Sequence, residues 1–386
     1  MGIETPDVLV IGLGAMGAAT VYQLAKQGVK VVGVDRYSPP HVYGSTHGET
    51  RITRQAIGEG AQFVPLALRS HQLWREMEAE TGATLFNQCG GIVIAREGAA
   101  SHMHGQADFL GNTFSAARAF GITHERLNAA EVTARFPQFQ LRGDETAYFE
   151  PGAGFVLPEA CTNTQLQLAV KHGAVLHFGE AVERIDGATD GTVVETSRTR
   201  YQPGTTIVCA GPWMPQLLPS LASQVVVQRQ VLHWFPLAGD IGYQPSKCPV
   251  YIWHWGDGPN DVFYGFPQAG SEQSIKVATE QSSHTTTPEA VERYVSPEES
   301  TAMFHTHVRG RLRGIDGAVL RTATCLYSTT ADANFIIDRL PDRRDTIVVS
   351  ACSGHGFKHS AAIGEALATM AVSGETPKLL QPFRLR

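Results

Sequence analysis

The chain opens with a switch of hydrophobic period. Residues 8–11 (VLVI) are an unbroken apolar run, as a parallel strand buried on both faces requires, and residues 31–34 (VVGV) repeat it. The helix-like stretch AMGAATVYQLAK lies between them, so the chain begins strand, helix, strand. Residues 63–82 have helical periodicity, with Leu66, Leu68, Leu73 and Trp74 on an apolar stripe. Residues 86–95 and 146–156 read as strands. Residues 157–172 read as a helix ended by Gly173, where a left-handed cap is expected. Residues 206–210 form another buried-strand run, closed by Gly211, Pro212 and Trp213. Residues 225–267 mix Val, Tyr, Phe and Trp with turn residues, which predicts an antiparallel sheet. Residues 270–300 are polar, with a helical piece at 288–294. Residues 346–350 return to a strand and 360–372 to an apolar helix.

The first turn carries Gly12, Gly14 and Gly17 in G-x-G-x-x-G spacing. The first glycine allows the tight turn, the second lets backbone approach a pyrophosphate, and the third lets helix pack on strand. Amides at the helix start then face phosphate with the positive end of the helix dipole. Asp35 ends the second apolar run and can accept from a ribose hydroxyl, which disfavours a 2′-phosphate and hence NADP. NAD and FAD both satisfy this motif. The last quarter adds Cys325 and the glycine-flexed basic segment SGHGFK, residues 353–358. A flavin whose ring lies against that segment joins the two ends economically.

Composition narrows the class. A chain of 386 residues can bury a large core and is expected to form two domains. The net charge of −6 without a basic cluster argues against nucleic acid and anionic membrane as partners. No apolar run approaches the ~20 residues needed to span a bilayer, and the N-terminus is already a strand rather than a signal peptide. Cys89, Cys161, Cys209, Cys248, Cys325 and Cys352 are scattered without metal-ligand spacing, so a reduced, cytoplasmic setting is expected. Dinucleotide-binding pieces lie at both ends and in the middle. The predicted fold is therefore mixed α/β, with interleaved domains. Residues 1–85, 150–220 and 315–386 form a Rossmann-like domain, and residues 86–149 and 221–314 a mixed-sheet domain.

Several segments carry a family resemblance. GSTHGETRITRQAIGEG (residues 44–60), IVCAGPW (207–213), YGFP (264–267), CLYSTTADANFIID (325–338), SGHGFK and the closing PFRLR follow one another in order. Together they resemble the monomeric sarcosine oxidase and N-methyltryptophan oxidase family over nearly the whole chain. The resemblance implies a glutathione-reductase-like FAD domain and an oxidase, acting as a monomer, that attacks the C–N bond of a secondary amino acid. The hydride equivalent goes to the flavin, the imine is hydrolysed, and O2 becomes H2O2.

The resemblance also distributes roles. It implies that Cys325 is joined covalently to the flavin; an isolated cysteine would otherwise read as a buried structural residue. It implies cofactor contacts by Gly12, Gly14, Ala15, Met16, Gly17, Asp35, Arg36, Ser45, Thr46, Arg51, Val182, Gly211 and Trp213. Gly354, His355, Gly356, Phe357 and Lys358 add contacts from the C-terminal loop. Arg54 and Lys358 match the cations that hold the substrate carboxylate, a fork and a point charge. Arg51 precedes Arg54 by three residues, on the same face if that piece is helical. Lys276, in SIKVATE, matches the lysine that favours reaction with oxygen, since a fixed charge stabilises a superoxide-like state. Alternatively it is a strand-edge lysine. His355 and Tyr264 complete the pocket, with location rather than acid–base function claimed for the histidine.

Two departures bear on substrate. Glu280 stands where sarcosine oxidases carry a histidine, and YIWHWGDG brings Trp253, His254 and Trp255 near the site. Those rings, Trp255 among them, either wall a pocket for a larger amine or belong to the core of the sheet. Pipecolate and fructosyl-amino-acid oxidases remain alternatives, as does a same-fold amine dehydrogenase passing electrons to another acceptor. A NAD-dependent dehydrogenase shares the N-terminal fingerprint but explains neither Cys325 nor SGHGFK.

Overall fold

A computed structural model describes residues 3–188 and 191–385. Arg386, the last residue of the PFRLR segment, lies outside the described residues, as do Met1 and Gly2. The N-terminal unit belongs to a six-stranded sheet. Its order is Val175–Phe178, Val31–Asp35, Val8–Ile11, Thr205–Val208, Arg343–Ser350 and Ile336–Leu340. The first five strands are parallel and the last is an antiparallel edge. The unbroken apolar runs have a direct cause, because both faces are covered. Val8 and Val10 pack beneath helices, while Leu9 and Ile11 pack towards a four-stranded sheet. Each such fully buried side chain is worth about 1.5–3 kcal/mol relative to exposure.

Helix Ala15–Lys26 lies between Pro158–Lys171 and Ser360–Ser373. Gly364 permits that crossing, since a Cβ there would stand 2.4 Å from Ala19 Cβ. The four-stranded sheet on the opposite face contains Ile3–Glu4, Arg200–Tyr201, Gly191–Thr196 and Val182–Ala188.

The largest sheet has eight strands. Its order is Arg321–Thr329, Val226–Pro236, Ser274–Ala278, Val262–Gly265, Val250–His254, Gly91–Arg96, Glu145–Glu150 and Glu125–Asn128. It is antiparallel except where Val250–His254 runs parallel to Gly91–Arg96. Strand alternation sorts its residues between two environments. Ile275, Val277, Tyr251 and Trp253 enter the sheet's own core, whereas Ile252 and Lys276 face the six-stranded sheet. Lys276 thus sits on an interior strand and not at an edge.

Three sequence expectations change. Residues 288–294 are a turn and extended chain, and the helix is Pro297–Met303. Its start is marked by a reciprocal Ser296–Glu299 capping box with proline in the first turn. The strands expected over 86–95 and 146–156 are each broken, giving Phe86–Asn87, Gly91–Arg96, Glu145–Glu150 and Gly154–Val156. Phe86–Asn87 and Arg51–Thr53 flank Gly154–Val156 in a three-stranded sheet. Arg51 therefore lies on a strand, and Arg51 and Arg54 do not share a helical face. Among the described residues, no helix is long and apolar enough to cross a membrane.

Candidate active site

A cavity of about 620 Å³ runs between the six- and eight-stranded sheets. Most of the sequence-predicted residues line it. From the N-terminal unit these are Gly12, Gly14, Ala15, Met16, Asp35 and Arg36; from the loop that follows, Ser45, Thr46, Arg51 and Arg54. Val182, Gly211, Trp213, Tyr264, Lys276 and Glu280 line its sides, and Gly354, His355, Gly356, Phe357 and Lys358 close it. Gly17, Cys325 and Trp255 are not on that lining.

At the nucleotide end, the glycines do what their spacing requires. Gly12 has φ +85°, and a Cβ there would lie 2.5 Å from Cys209 O. A Cβ on Gly17 would lie 1.8 Å from Gly12 O, so this glycine serves helix–strand contact and not the cavity. A Cβ on Gly14 would meet nothing nearer than Thr46 Oγ1 at 3.4 Å, which leaves room for a ligand's close approach. Asp35 accepts from the amides of Leu13 (2.7 Å) and Tyr37 (2.8 Å). Burial raises its carboxyl above the ordinary value, opposed by those two amides and His41. The indole of Trp213 donates to Glu289 (2.9 Å), which also pairs with Arg36 at 3.2 Å.

The other end is a buried ionic cluster. Arg54 donates through Nη2 to Glu59 (2.6 Å) and through Nη1 to Ala56 O (2.8 Å), while its buried Nε has no hydrogen-bond partner among the described residues. Lys358 Nζ donates to His355 O at 2.7 Å and to Glu59 at 3.4 Å. Burial opposes ionisation of Glu59, but Arg54, Lys358 and His104 outweigh it and hold the carboxyl well below its usual range. Burial also lowers Lys358 to about 8, against the pull of Glu59. His355 Nε2 lies 2.9 Å from Ala333 O; a carbonyl only accepts, so this nitrogen carries the proton. Burial then pushes its pKa well below that of a free imidazole.

Between the ends, Lys276 Nζ donates to Gly48 O and Thr50 O, each at 2.6 Å, and lies 4.1 Å from the ring centre of Phe266. Burial, reinforced by Arg51, depresses its pKa well below the ordinary lysine value. Arg51 turns away from Arg54, donating to Ser45 O (2.9 Å) and approaching Cys325 Sγ at 3.7 Å. Cys325 is buried with Sγ 3.5 Å from Ser45 O. Burial raises its thiol pKa, with Arg51 opposing. The hydroxyls of Tyr264 and Tyr327 are 3.1 Å apart, and burial raises Tyr264 to about 12.

Trp255 is displaced from the site for a definite reason. Its indole donates to His307 (3.2 Å), and Arg311 lies 4.3 Å over its ring, on the far side of the eight-stranded sheet. Trp253 is likewise core, donating to Glu145 at 2.8 Å. Of the rings of YIWHWGDG, Trp253 is therefore sheet core and Trp255 packs half-buried against that core.

Comparison with known proteins fits this arrangement. Residues 7–370 match the family described as FAD dependent oxidoreductase. The chain belongs to that family. It is 38% identical to the monomeric sarcosine oxidase of Streptomyces avermitilis, over 99% of this chain and 98% of that one. It is 34% identical to the N-methyl-L-tryptophan oxidase of Salmonella agona, over 98% of each. In structure it is similar to NikD, an unusual amino acid oxidase essential for nikkomycin biosynthesis, in its open form. That likeness has a TM-score of 0.86 at 22% identity and covers 99% of this chain and 98% of that one.

The residues of this FAD-dependent oxidoreductase fit its cofactor. The glycine cradle is open where phosphates would approach, and Thr50 Oγ1 is a buried hydroxyl with no hydrogen-bond partner among the described residues. Several lining residues carried no sequence signal of their own: Glu59, His104, Tyr327 and Cys352. Glu59 lies five residues beyond Arg54, in the turn at residues 58–59. Tyr327 shares the strand face of Cys325 two residues on, readable only once the strand is known. His104 comes from a polar loop without periodicity.

Proposed function

We propose that this FAD-dependent oxidoreductase is an oxidase of secondary amino acids, N-methyl or cyclic, that acts as a monomer with O2 as acceptor. The observation that carries this reading is the pair of buried cations, Arg54 and Lys358, at the closed end of the flavin-sized cavity. A carboxylate is the small anion that suits a guanidinium fork beside an ammonium. Relatives named for sarcosine and N-methyl-L-tryptophan supply the amine half of the assignment.

In this reading, Arg54 and Lys358 hold the carboxylate, and burial of the cluster excludes water from it. Tyr264 and Tyr327 wall the amine, with Glu280 close by. The bound flavin supplies the oxidant that accepts a hydride equivalent from the carbon beside nitrogen. Lys276 and Arg51 place positive charge where reduced oxygen would gather negative charge. Cys325, against Ser45 and Arg51, is proposed as the covalent attachment. The six-stranded sheet with its helices forms the cofactor half and the eight-stranded sheet the substrate half. Six free cysteines accord with a reducing, cytoplasmic setting.

The deciding experiment is a peroxide assay in air over a panel of N-methyl and cyclic amino acids. Peroxide with at least one of them is expected. Turnover only with an artificial acceptor would make the enzyme a dehydrogenase instead, and no turnover with any panel member would overturn the substrate class.

A further inference from the structure

His104 is absent from every motif that carries the family resemblance, yet it stands at the centre of the ionic cluster. Its Nδ1 lies 3.3 Å from Glu59 Oε1, and its Nε2 contacts Glu280 Oε1. These are ion-pair contacts rather than in-line hydrogen bonds. The ring is 6% exposed and sits 4.9 Å from that of His355. Gly354 makes room for it: a Cβ there would meet His104 Nε2 at 2.6 Å and Glu280 Oε1 at 2.7 Å. The residue occupies the tip of a turn that Met103 and Gln106 close with paired backbone hydrogen bonds of 3.0 and 2.9 Å. Its φ of +47° is costly for a residue with a side chain, and contacts on both ring nitrogens hold it there.

The charge count shows what the ring does. Without it, Arg54 and Lys358 face Glu59 and Glu280, two cations against two anions. Glu150, which also lies near Arg54, is taken up by the amides of Gln55 and Ala56 and the hydroxyl of Tyr148, and burial raises its pKa. A site so balanced offers no net attraction to an incoming carboxylate, and Glu59 occupies both cations. We propose that His104 is a positioning residue: by bridging Glu59 and Glu280 as an imidazolium, it leaves Arg54 and Lys358 with a net positive charge for the substrate's carboxylate. The inference rests on the carboxylate site of the proposed function and adds a residue to it. The charged and titratable groups around the ring come from four directions. Glu59 and Arg54 follow the strand Arg51–Thr53, Glu280 follows Ser274–Ala278, His254 ends Val250–His254, and His355, Lys358 and His359 belong to the C-terminal loop. Burial disfavours a charged His104, but Glu280 and Glu59 outweigh it and raise its pKa to about 9.

The sign follows. Well below about pH 8 both His104 and Lys358 are charged. Carboxylate affinity falls first as Lys358 loses its proton at about pH 8 and again as His104 becomes neutral above about pH 9. The test titrates acetate into the flavin-loaded enzyme and follows the flavin spectrum. His104→Gln is expected to bind acetate about tenfold more weakly than wild type at about pH 7, with the two converging at about pH 10. Equal affinity at about pH 7, or a deficit undiminished at about pH 10, would overturn the inference. Glu280→Gln, which keeps the side-chain volume, guards against misfolding of the first variant. It should move to lower pH the upper step of the alkaline loss, the one that His104→Gln lacks, and an unmoved upper step counts against the bridge. A wild-type enzyme that shows no response to acetate would sink the carboxylate site itself, a failure distinct from that of His104.

Discussion

The two ends of the cavity are built in opposite ways. The nucleotide end is made of backbone: Gly12, Gly14 and Gly17 shape it, and Asp35 is held by amides of Leu13 and Tyr37 close by in the same unit. The other end is made of side-chain charge. Arg54, Glu59, His104, Glu280 and Lys358 reach it from distant parts of the chain and satisfy one another while buried. A dinucleotide is recognised by close approach of main chain, which glycine spacing writes locally. A small anion needs charge in a dry place, which only long-range folding assembles.

That contrast can be broken first at the charged end. Lys358→Ala or Arg54→Ala removes one partner of a desolvated carboxylate, a loss of about 2–5 kcal/mol in substrate binding. Apparent affinity should collapse in steady-state kinetics while the yellow colour of the purified protein remains. Unchanged affinity in both variants would place the clamp elsewhere.

The middle of the cavity comes next. Lys276→Met removes a charge with little change of volume, so reoxidation by air should slow by ~10²–10³ while anaerobic reduction by substrate changes far less. Because the Lys276 pKa is depressed, wild-type reoxidation should also slow as pH rises, at a pH below the ordinary lysine value. Stopped-flow measurement of the two half-reactions decides; collapse of the reductive step alone would make Lys276 a substrate-positioning residue.

The nucleotide end should yield through packing. Gly17→Ala drives a Cβ to 1.8 Å from Gly12 O, a backbone atom that cannot swing aside. Overpacking of this kind costs about 1–3 kcal/mol, so Tm and flavin content should both drop. Full flavin content at an unchanged Tm would contradict the helix–strand role of this glycine.

The smallest effect on binding concerns the tether. In Cys325→Ser, the flavin should stay bound under native conditions but leave the chain on acid denaturation, whereas wild type keeps its colour. Cys352 also lines the cavity, so it supplies the control. Colour that survives denaturation in Cys325→Ser but not in Cys352→Ser would move the attachment to the second thiol.

Much of the fold was legible in local pattern. The double-sided apolar runs, the G-x-G-x-x-G turn and the left-handed glycine at Gly173 all appear where periodicity and glycine chemistry place them. Misreadings arose where the signal is a cap or a break rather than a period. The helix expected at 288–294 begins instead after Ser296, because its capping box outweighs a weak polar pattern. Trp255 could be either pocket wall or sheet core because an aromatic run does not say which side of a sheet it faces, and the structure packs it against the sheet core.

The sequence by itself determined the nucleotide-binding unit and the family, because glycine spacing, apolar runs and motif order are all written along the chain. The tertiary structure alone decided which charges meet. It turned Arg51 towards Cys325 and Arg54 towards Glu59, put Lys276 on an interior strand, and set His104 between two carboxylates. The physical reason is that the strength and sign of a charge interaction depend on distance and burial, and neither is a property of a residue's neighbours in sequence.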